Sequence, residues 1–446
     1  MRIRSAALVL TLASVAAASD DEAPSPRPFD PGIAAGPVLS YTARPVIADD
    51  RPACSPRVPV CVHGGDGPRA LATLGAFERA WATLTGVLAL PAPDVDPFTL
   101  AHDVFLSDHD ATVLEARDVR SRFDRGRAFT FVDRHRGCAL DAAAATAIAR
   151  ASLLGVAPAT DEGTAIAQST YLATLAVPCA LGLLAGDVAT FQRRASSSFA
   201  DAHAGVDAVA GGWDNVVEPS FARGAATFWA RLDWAYGRTP GGLVTASWAL
   251  HPTATPLGDA RWRNEPDTFD VLRSTFKGAF SAVSTVDDLW LDFAVARAFF
   301  GAADDGFHQP ELRTFGLAAG APLDWDLPWP EKPRRLTQRL PVAPLGASYL
   351  QIAARPGKKL RVEIEWEEHA VFRWAFVKID AQGRELARIP IPIRDRATEA
   401  NMTLADTTGA ARILLVGVNV GDPAYTFDPD DEVWEPHGWV VTMAEP

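Results

Sequence analysis

Residues 138–179 read CALDAAAATAIARASLLGVAPATDEGTAIAQSTYLATLAVPC. Alanine dominates the stretch, and alanine is the strongest helix former because its side chain loses no rotamer freedom. Gly155 and Pro158 interrupt the run. The pattern predicts two helices, over about 139–155 and 161–176, with Thr160 or Asp161 capping the second. Asp161 and Glu162 then sit in the positive first turn of that helix. Cys138 and Cys179 stand at the two ends of the pair. A helix pair closed by a disulfide is the plainest reading.

Towards the N-terminus, residues 59–65 read as a short strand that includes Cys61 and His63. Residues 70–88 have helical periodicity through Leu71, Leu74, Phe77, Ala80, Trp81 and Leu84, and Pro91 and Pro93 end that helix. Residues 103–106 and 129–132 read as further strands. His63, His102, His109 and His135 lie in or near these strands at irregular spacing. They read as ordinary core or surface residues, not as metal ligands.

Arg2 and Arg4 precede the apolar run Ala6 to Val15, and Ala16-Ala17-Ala18-Ser19 offers small residues for cleavage. That pattern is a secretory signal peptide, too short to span a bilayer. No later segment reads as long and apolar enough for a membrane helix. Asp20 to Pro37 is acidic and proline-rich, as a flexible leader would be. Four cysteines in an exported chain imply two disulfides with three possible pairings. Local pairing is expected, Cys54 with Cys61 and Cys138 with Cys179, contributing about 2.5 and about 4 kcal/mol in the loop-entropy treatment. No CxxC spacing points to a thiolate metal site.

The order of elements resembles a known group. A Cys-Val-His strand leads to a helix carrying Glu78-Arg79-Ala80-Trp81. Strands ending in Asp103-Val104-Phe105-Leu106 and in Phe131-Val132-Asp133 follow, and then two helices. This is similar to secreted bacterial zincin-type metalloproteases with a C-terminal β-sandwich. Those proteins carry HExxH on the first central helix and Glu-Gly-Thr-Ala on the second. Glu162-Gly163-Thr164-Ala165 matches the second motif, but Thr146-Ala147-Ile148-Ala149-Arg150 stands where HExxH belongs. HExxH works because residues i and i+4 share a helix face and bring two imidazoles to one zinc, with the glutamate as base. Here the ligand positions are Thr146 and Arg150, and the base position is Ala147. The resemblance therefore implies a vestigial site of Thr146, Ala147, Arg150 and Glu162, with neither zinc nor another cofactor. Arg150 is expected to pair with Glu162 across the vacated gap.

The next region is helical and tryptophan-rich. Residues 191–203, 222–236 and 243–250 read as helices, and Asp270 lies beside a helix over 271–276. Thr285 caps a helix that runs to Phe300, where Gly301 stops it. The later helices around Gly224 to Trp229 and Asp292 to Arg297 also resemble scaffold helices of the same proteases. Trp213, Trp229, Trp234, Trp248 and Trp262 read as core, with a carbohydrate-stacking surface as the alternative. Glu218, Glu265, Asp267 and Asp270 are the carboxylates from which a glycosidase dyad would have to come, but turn and cap roles explain most of them.

Residues 322–341 are rich in Pro, Arg and Trp, as a linker or an extended surface strand would be. Beyond them period-2 alternation takes over, with strands over 348–352, 360–366, 372–379, 386–391, 401–404, 411–419 and 438–443. Short strands with turns between them read as a β-sandwich. Asp422, Asp428, Asp430 and Asp431 share one loop that reads as solvated, with calcium binding as the alternative.

The expected fold class is α+β, a mostly helical zincin-like N-terminal domain followed by an all-β sandwich domain. The expected divisions are a signal peptide (1–19), a disordered leader (20–45), the zincin-like domain (46–320), a linker (321–341) and the sandwich (342–446). The chain has 446 residues, 48% hydrophobic, with a formal net charge of −13. No basic stripe is present for nucleic acid. The main functional expectation is a secreted or periplasmic pseudo-metallopeptidase that binds a protein or glycan partner. The alternatives are a secreted hydrolase of peptide or polysaccharide with an unrecognised site, and a glycan- or surface-binding sandwich protein.

Overall fold

The computed structural model describes residues 41–48, 50–65, 67–115, 126–158, 160–198, 219–250, 255–258, 261–263, 268–276, 285–315, 320–394, 397–421 and 435–446. The stretches expected as signal peptide and, for the most part, leader lie outside these residues, as do Asp422, Asp428, Asp430 and Asp431.

Short apolar strands build the first sheet. β1 (Tyr41–Thr42), β2 (Ala53–Cys54) and β3 (Val60–His63) precede helix α1 (Gly67–Trp81), which continues as a π-helical turn over Ala82–Val87. β4 (His102–Leu106), β5 (Ala111–Glu115) and β6 (Ala128–Val132) complete it in the order β1-β5-β6-β4-β3-β2. β3, β4 and β6 run parallel, with α1 as the crossover from β3 to β4, while β5 is antiparallel to β6.

α2 (Cys138–Val156) and α3 (Glu162–Ala176) follow the expected bounds within a residue or two. The Asp161 carboxylate caps α3 by accepting from the Thr164 amide at 2.7 Å. α2 packs against α1, α3, β5 and β6. Its length and apolarity are sufficient for a membrane span, which corrects the expectation that no such segment follows the leader. Here it is a mostly buried core helix, and its alanines let the neighbouring elements approach closely. Both expected disulfides are present, Cys54–Cys61 and Cys138–Cys179, and there is no free cysteine among the described residues.

The helical region continues with α4 (Ala180–Leu183), α5 (Ala185–Arg193), α6 (Pro219–Gly224), α7 (Ala226–Tyr236) and α8 (Gly242–Leu250). A hairpin of β7 (Thr255–Gly258) and β8 (Arg261–Arg263) leads to α9 (Thr268–Phe276) and α10 (Val286–Arg297). α5 lies earlier than the helix expected over 191–203, because Val188 and Phe191 set its buried face. Thr285 and Asp288 form a reciprocal capping box on α10.

The remaining strands form two sheets. They are β9 (Trp325–Leu327), β10 (Arg334–Thr337), β11 (Ala347–Ala353), β12 (Leu360–Trp366), β13 (Phe372–Ile379), β14 (Glu385–Pro390), β15 (Glu399–Leu404), β16 (Arg412–Asn419) and β17 (Trp439–Ala444). One sheet has the order β10-β17-β12-β15 and the other β14-β13-β16-β11-β9. β12 alternates, burying Leu360, Val362, Ile364 and Trp366 while Arg361 and Glu365 face outwards. β13 and β16 are apolar on both faces. Phe372, Trp374, Phe376, Ile413 and Leu415 join a core with β12 and β17, while Ala375, Val377, Leu414 and Val416 join the helical core. A strand covered on both sides loses alternation, and α10 supplies the second cover. Gly417 faces Trp374 across the β13–β16 pair, where a Cβ would meet the indole ring at 2.5 Å.

The stretch expected as a linker contributes β9 to one sheet and β10 to the other, with Leu327 and Trp329 buried. One apolar cluster also runs from α1 through the helices to β11, β13 and β16. The described residues thus form a mixed α+β fold.

Candidate functional site

The α2–α3 pair sets the first candidate site. Thr146 and Ala147 lie one turn before Arg150 on α2, and Glu162 opens α3. Arg150 Nη2 donates to Glu162 Oε2 at 2.5 Å. The Arg150 side chain is 14% exposed and that of Glu162 51%. Arg150 Nη1 is buried without a hydrogen-bond partner, so the guanidinium is only partly satisfied. A hydroxyl, a methyl group, a guanidinium and one carboxylate do not fit zinc, which takes three protein ligands at a catalytic site. A guanidinium has no lone pair to give and repels a cation. Among the described residues, no group of three or more His, Cys, Asp or Glu is arranged to hold a metal ion.

The strand histidines have other partners. His102 is buried and lies 3.0 Å from Thr130 Oγ1; burial, then the nearby Arg44 charge, lowers its pKa to about 4. His63 stands between Asp50, at 2.5 Å, and Asp103, at 3.0 Å, and stacks on Phe105. His135 meets Asp110 at 2.5 Å on the surface. Arg44 gathers Asp96 at 3.2 Å, Asp103, and Glu115 at 2.6 Å. These contacts tie the segment after β1 to the sheet, and no local spacing in the sequence announces them.

No family model matches the chain, and no curated protein matches it significantly. The similar solved structures are slight likenesses. The pre-peptidase C-terminal domain of a collagenase from Bacillus anthracis is 10% identical, with 28% of this chain and 98% of that one covered and a TM-score of 0.18. PliG of Aeromonas hydrophila, a periplasmic inhibitor of g-type lysozyme, is 9% identical, covering 28% and 100%, at 0.18. CorA of Methylomicrobium album BG8, a surface-associated copper-binding protein, is 8% identical, covering 28% and 98%, at 0.19. Likenesses of this size assign neither fold nor function.

A second polar constellation joins the helices to β14. His308 has Nδ1 at 2.9 Å from Asp305 and Nε2 at 2.8 Å from Glu385, and its ring stacks on Phe299. Arg388 donates to Glu385 and, at 2.6 Å, to Asp292, which also accepts from Arg231 at 3.0 Å. Burial alone would raise the Glu385 carboxyl. The hydrogen bonds from His308 and Arg388 and the positive charge outweigh it and hold the pKa at about 2.

The remaining sequence candidates separate. Trp229 and Trp248 are buried, Trp234 is 56% exposed, and the side chains of Trp213 and Trp262 lie outside the described residues. Other acidic side chains have structural partners: Asp287 accepts from Arg373, Asp288 caps α10, and Asp304 pairs with Arg313. Asp270 lies in the first turn of α9, while Glu218, Glu265 and Asp267 fall outside the described residues. Two disulfides fit an oxidising compartment.

Proposed function

We propose that the chain is an exported zincin-like pseudo-peptidase that works as a binding or structural protein for a protein or glycan partner. The Arg150–Glu162 pair carries this reading. It puts a cation at the second ligand position of the HExxH-like turn and commits the only ligand-type side chain of the vestigial site to it. The observed order β3, α1, β4, β5, β6, α2, α3 contains the strands, helix and helix pair on which the resemblance rests, with β5 added, and supports the same reading. On this reading residues 46–320 are the zincin-like domain and residues 342–446 a β-sandwich, with β9 and β10 drawn from the stretch between them. Without two imidazoles and a base there is no zinc-bound water to activate. The purified protein is expected to hold no stoichiometric zinc by elemental analysis and to leave casein intact. Stoichiometric zinc with chelator-sensitive cleavage would overturn the proposal.

A further inference from the structure

A cavity of about 430 Å³ opens among α3, α4, α5, α7 and the turn over Pro310–Phe315. That volume falls in the range of small-molecule sites. Leu175, Leu181 and Ala230 line it as half-buried apolar side chains, and Trp234, Arg238, Thr239 and Pro240 are exposed at its mouth. Most polar groups of the wall are already committed. Asp233 accepts from the Tyr171 hydroxyl and from the Gly241 amide, each at 2.6 Å. Glu311 is hydrogen-bonded by Gln309 and lies in the positive field of Arg231. Thr174 and Thr227 donate their hydroxyls to the carbonyls of Tyr171 and Gly224, at 2.7 Å and 2.8 Å. Arg238 differs. It is the one cationic side chain of the lining, and it has no ion pair or hydrogen bond among the described residues. Its guanidinium donors are therefore open to whatever occupies the mouth.

We propose that this cavity binds an aliphatic carboxylate of medium chain length, its hydrocarbon chain against Leu175, Leu181 and Ala230 and its carboxylate at Arg238 in the mouth. The apolar walls take the chain out of water, and a planar guanidinium matches the two oxygens of a carboxylate. An ammonium head would meet the same guanidinium as a like charge. The head stays in the solvated mouth, so it contributes selectivity, while the chain supplies most of the affinity. The inference goes beyond the vestigial-site reading and does not depend on it, since Tyr171, Thr174 and Leu175 line the cavity from the far end of α3 from Glu162.

Titration calorimetry of the full chain tests it with three eight-carbon probes, octanoate, octan-1-ol and n-octylamine. Octanoate is expected to bind saturably with one site, about fivefold more tightly than octanol, with octylamine weaker still. Arg238→Gln, an exposed change, should weaken octanoate about fivefold and leave octanol within about twofold. Ala230→Trp, which fills the cavity from α7, should abolish binding of both. Thermal melts of the two variants keep loss of binding separate from loss of fold. Octylamine binding as tightly as octanoate, an unchanged octanoate affinity in the folded Arg238→Gln protein, or no saturable octanoate binding would overturn the assignment.

Discussion

Removing the Asp233 carboxylate should loosen the centre of the helical region. Asp233 is 6% exposed, on α7. Its oxygens accept from the Tyr171 hydroxyl at 2.6 Å, the Gly241 amide at 2.6 Å and the Leu243 amide at 3.3 Å. They therefore hold α3, α7 and the start of α8 together. Gly241 has φ of 75°, a backbone shape that this acceptor helps to pin. Asp233→Ala leaves a phenol and two amides without their acceptor. A buried donor left unsatisfied costs about 1–3 kcal/mol, and the Leu243 bond is long enough to count at the low end. Local relaxation that lets the freed donors find water would recover part of this, so the net loss is about 3 kcal/mol. Tyr171→Phe removes one donor and leaves Asp233 with both amides, for a loss of about 1 kcal/mol. Urea unfolding of the oxidised protein, followed by tryptophan fluorescence, measures both. A loss below 1 kcal/mol for Asp233→Ala, or equal losses for the two variants, would refute the reasoning.

The Arg150–Glu162 pair is testable by a double-mutant cycle. Because Glu162 is half exposed, the coupling should be only about 0.5 kcal/mol. Arg150→Ala should nevertheless cost about 1–2 kcal/mol through its buried stem, against under about 0.5 kcal/mol for Arg361→Ala on the outer face of β12. Equal losses at the two sites would show that Arg150 is an ordinary surface residue. The Glu385 carboxyl sits near pKa 2 in the folded chain against an ordinary 4.5. A depressed carboxyl stabilises the fold above its unfolded value, and that stability is lost as pH falls towards 2. Unfolding free energy should therefore fall between about pH 4.5 and 2, and Glu385→Gln should flatten that slope. An unchanged slope would remove Glu385 from the acid response.

Local patterns were the legible part of this chain. The alternation of Leu360 to Trp366 specifies both a strand and its buried face, and the alanine runs separated by Gly155 and Pro158 specify α2 and α3. Thr160 and Asp161 are both readable as caps because capping is decided within four residues, and Asp161 is the one that accepts from the Thr164 amide. β5 has no clear local signature, because its place in the sheet comes from its pairing with β1 and β6. The stretch that holds β9 and β10 reads equally as a linker or an extended surface strand, since proline and arginine mask short strands whose partners lie far along the chain. The Arg150–Glu162 contact is what the resemblance implies, since it places Arg150 at the second ligand position of α2 and Glu162 at the start of α3. The groups around Arg44 and His308 have no such local signature, because each is assembled from elements distant in sequence.

The most direct test of the pseudo-peptidase account restores the two missing imidazoles. In the Thr146→His, Arg150→His double variant, positions i and i+4 of α2 would present two histidines beside the Glu162 carboxylate, the ligand number a catalytic zinc site requires. Zinc content after dialysis, by elemental analysis of the folded variant, is the measurement. The account predicts about one zinc per chain, lost when Glu162→Ala is added. A double variant that keeps the wild-type melt yet retains no zinc would contradict it, because α2 and α3 would then not be arranged as a metal site once was.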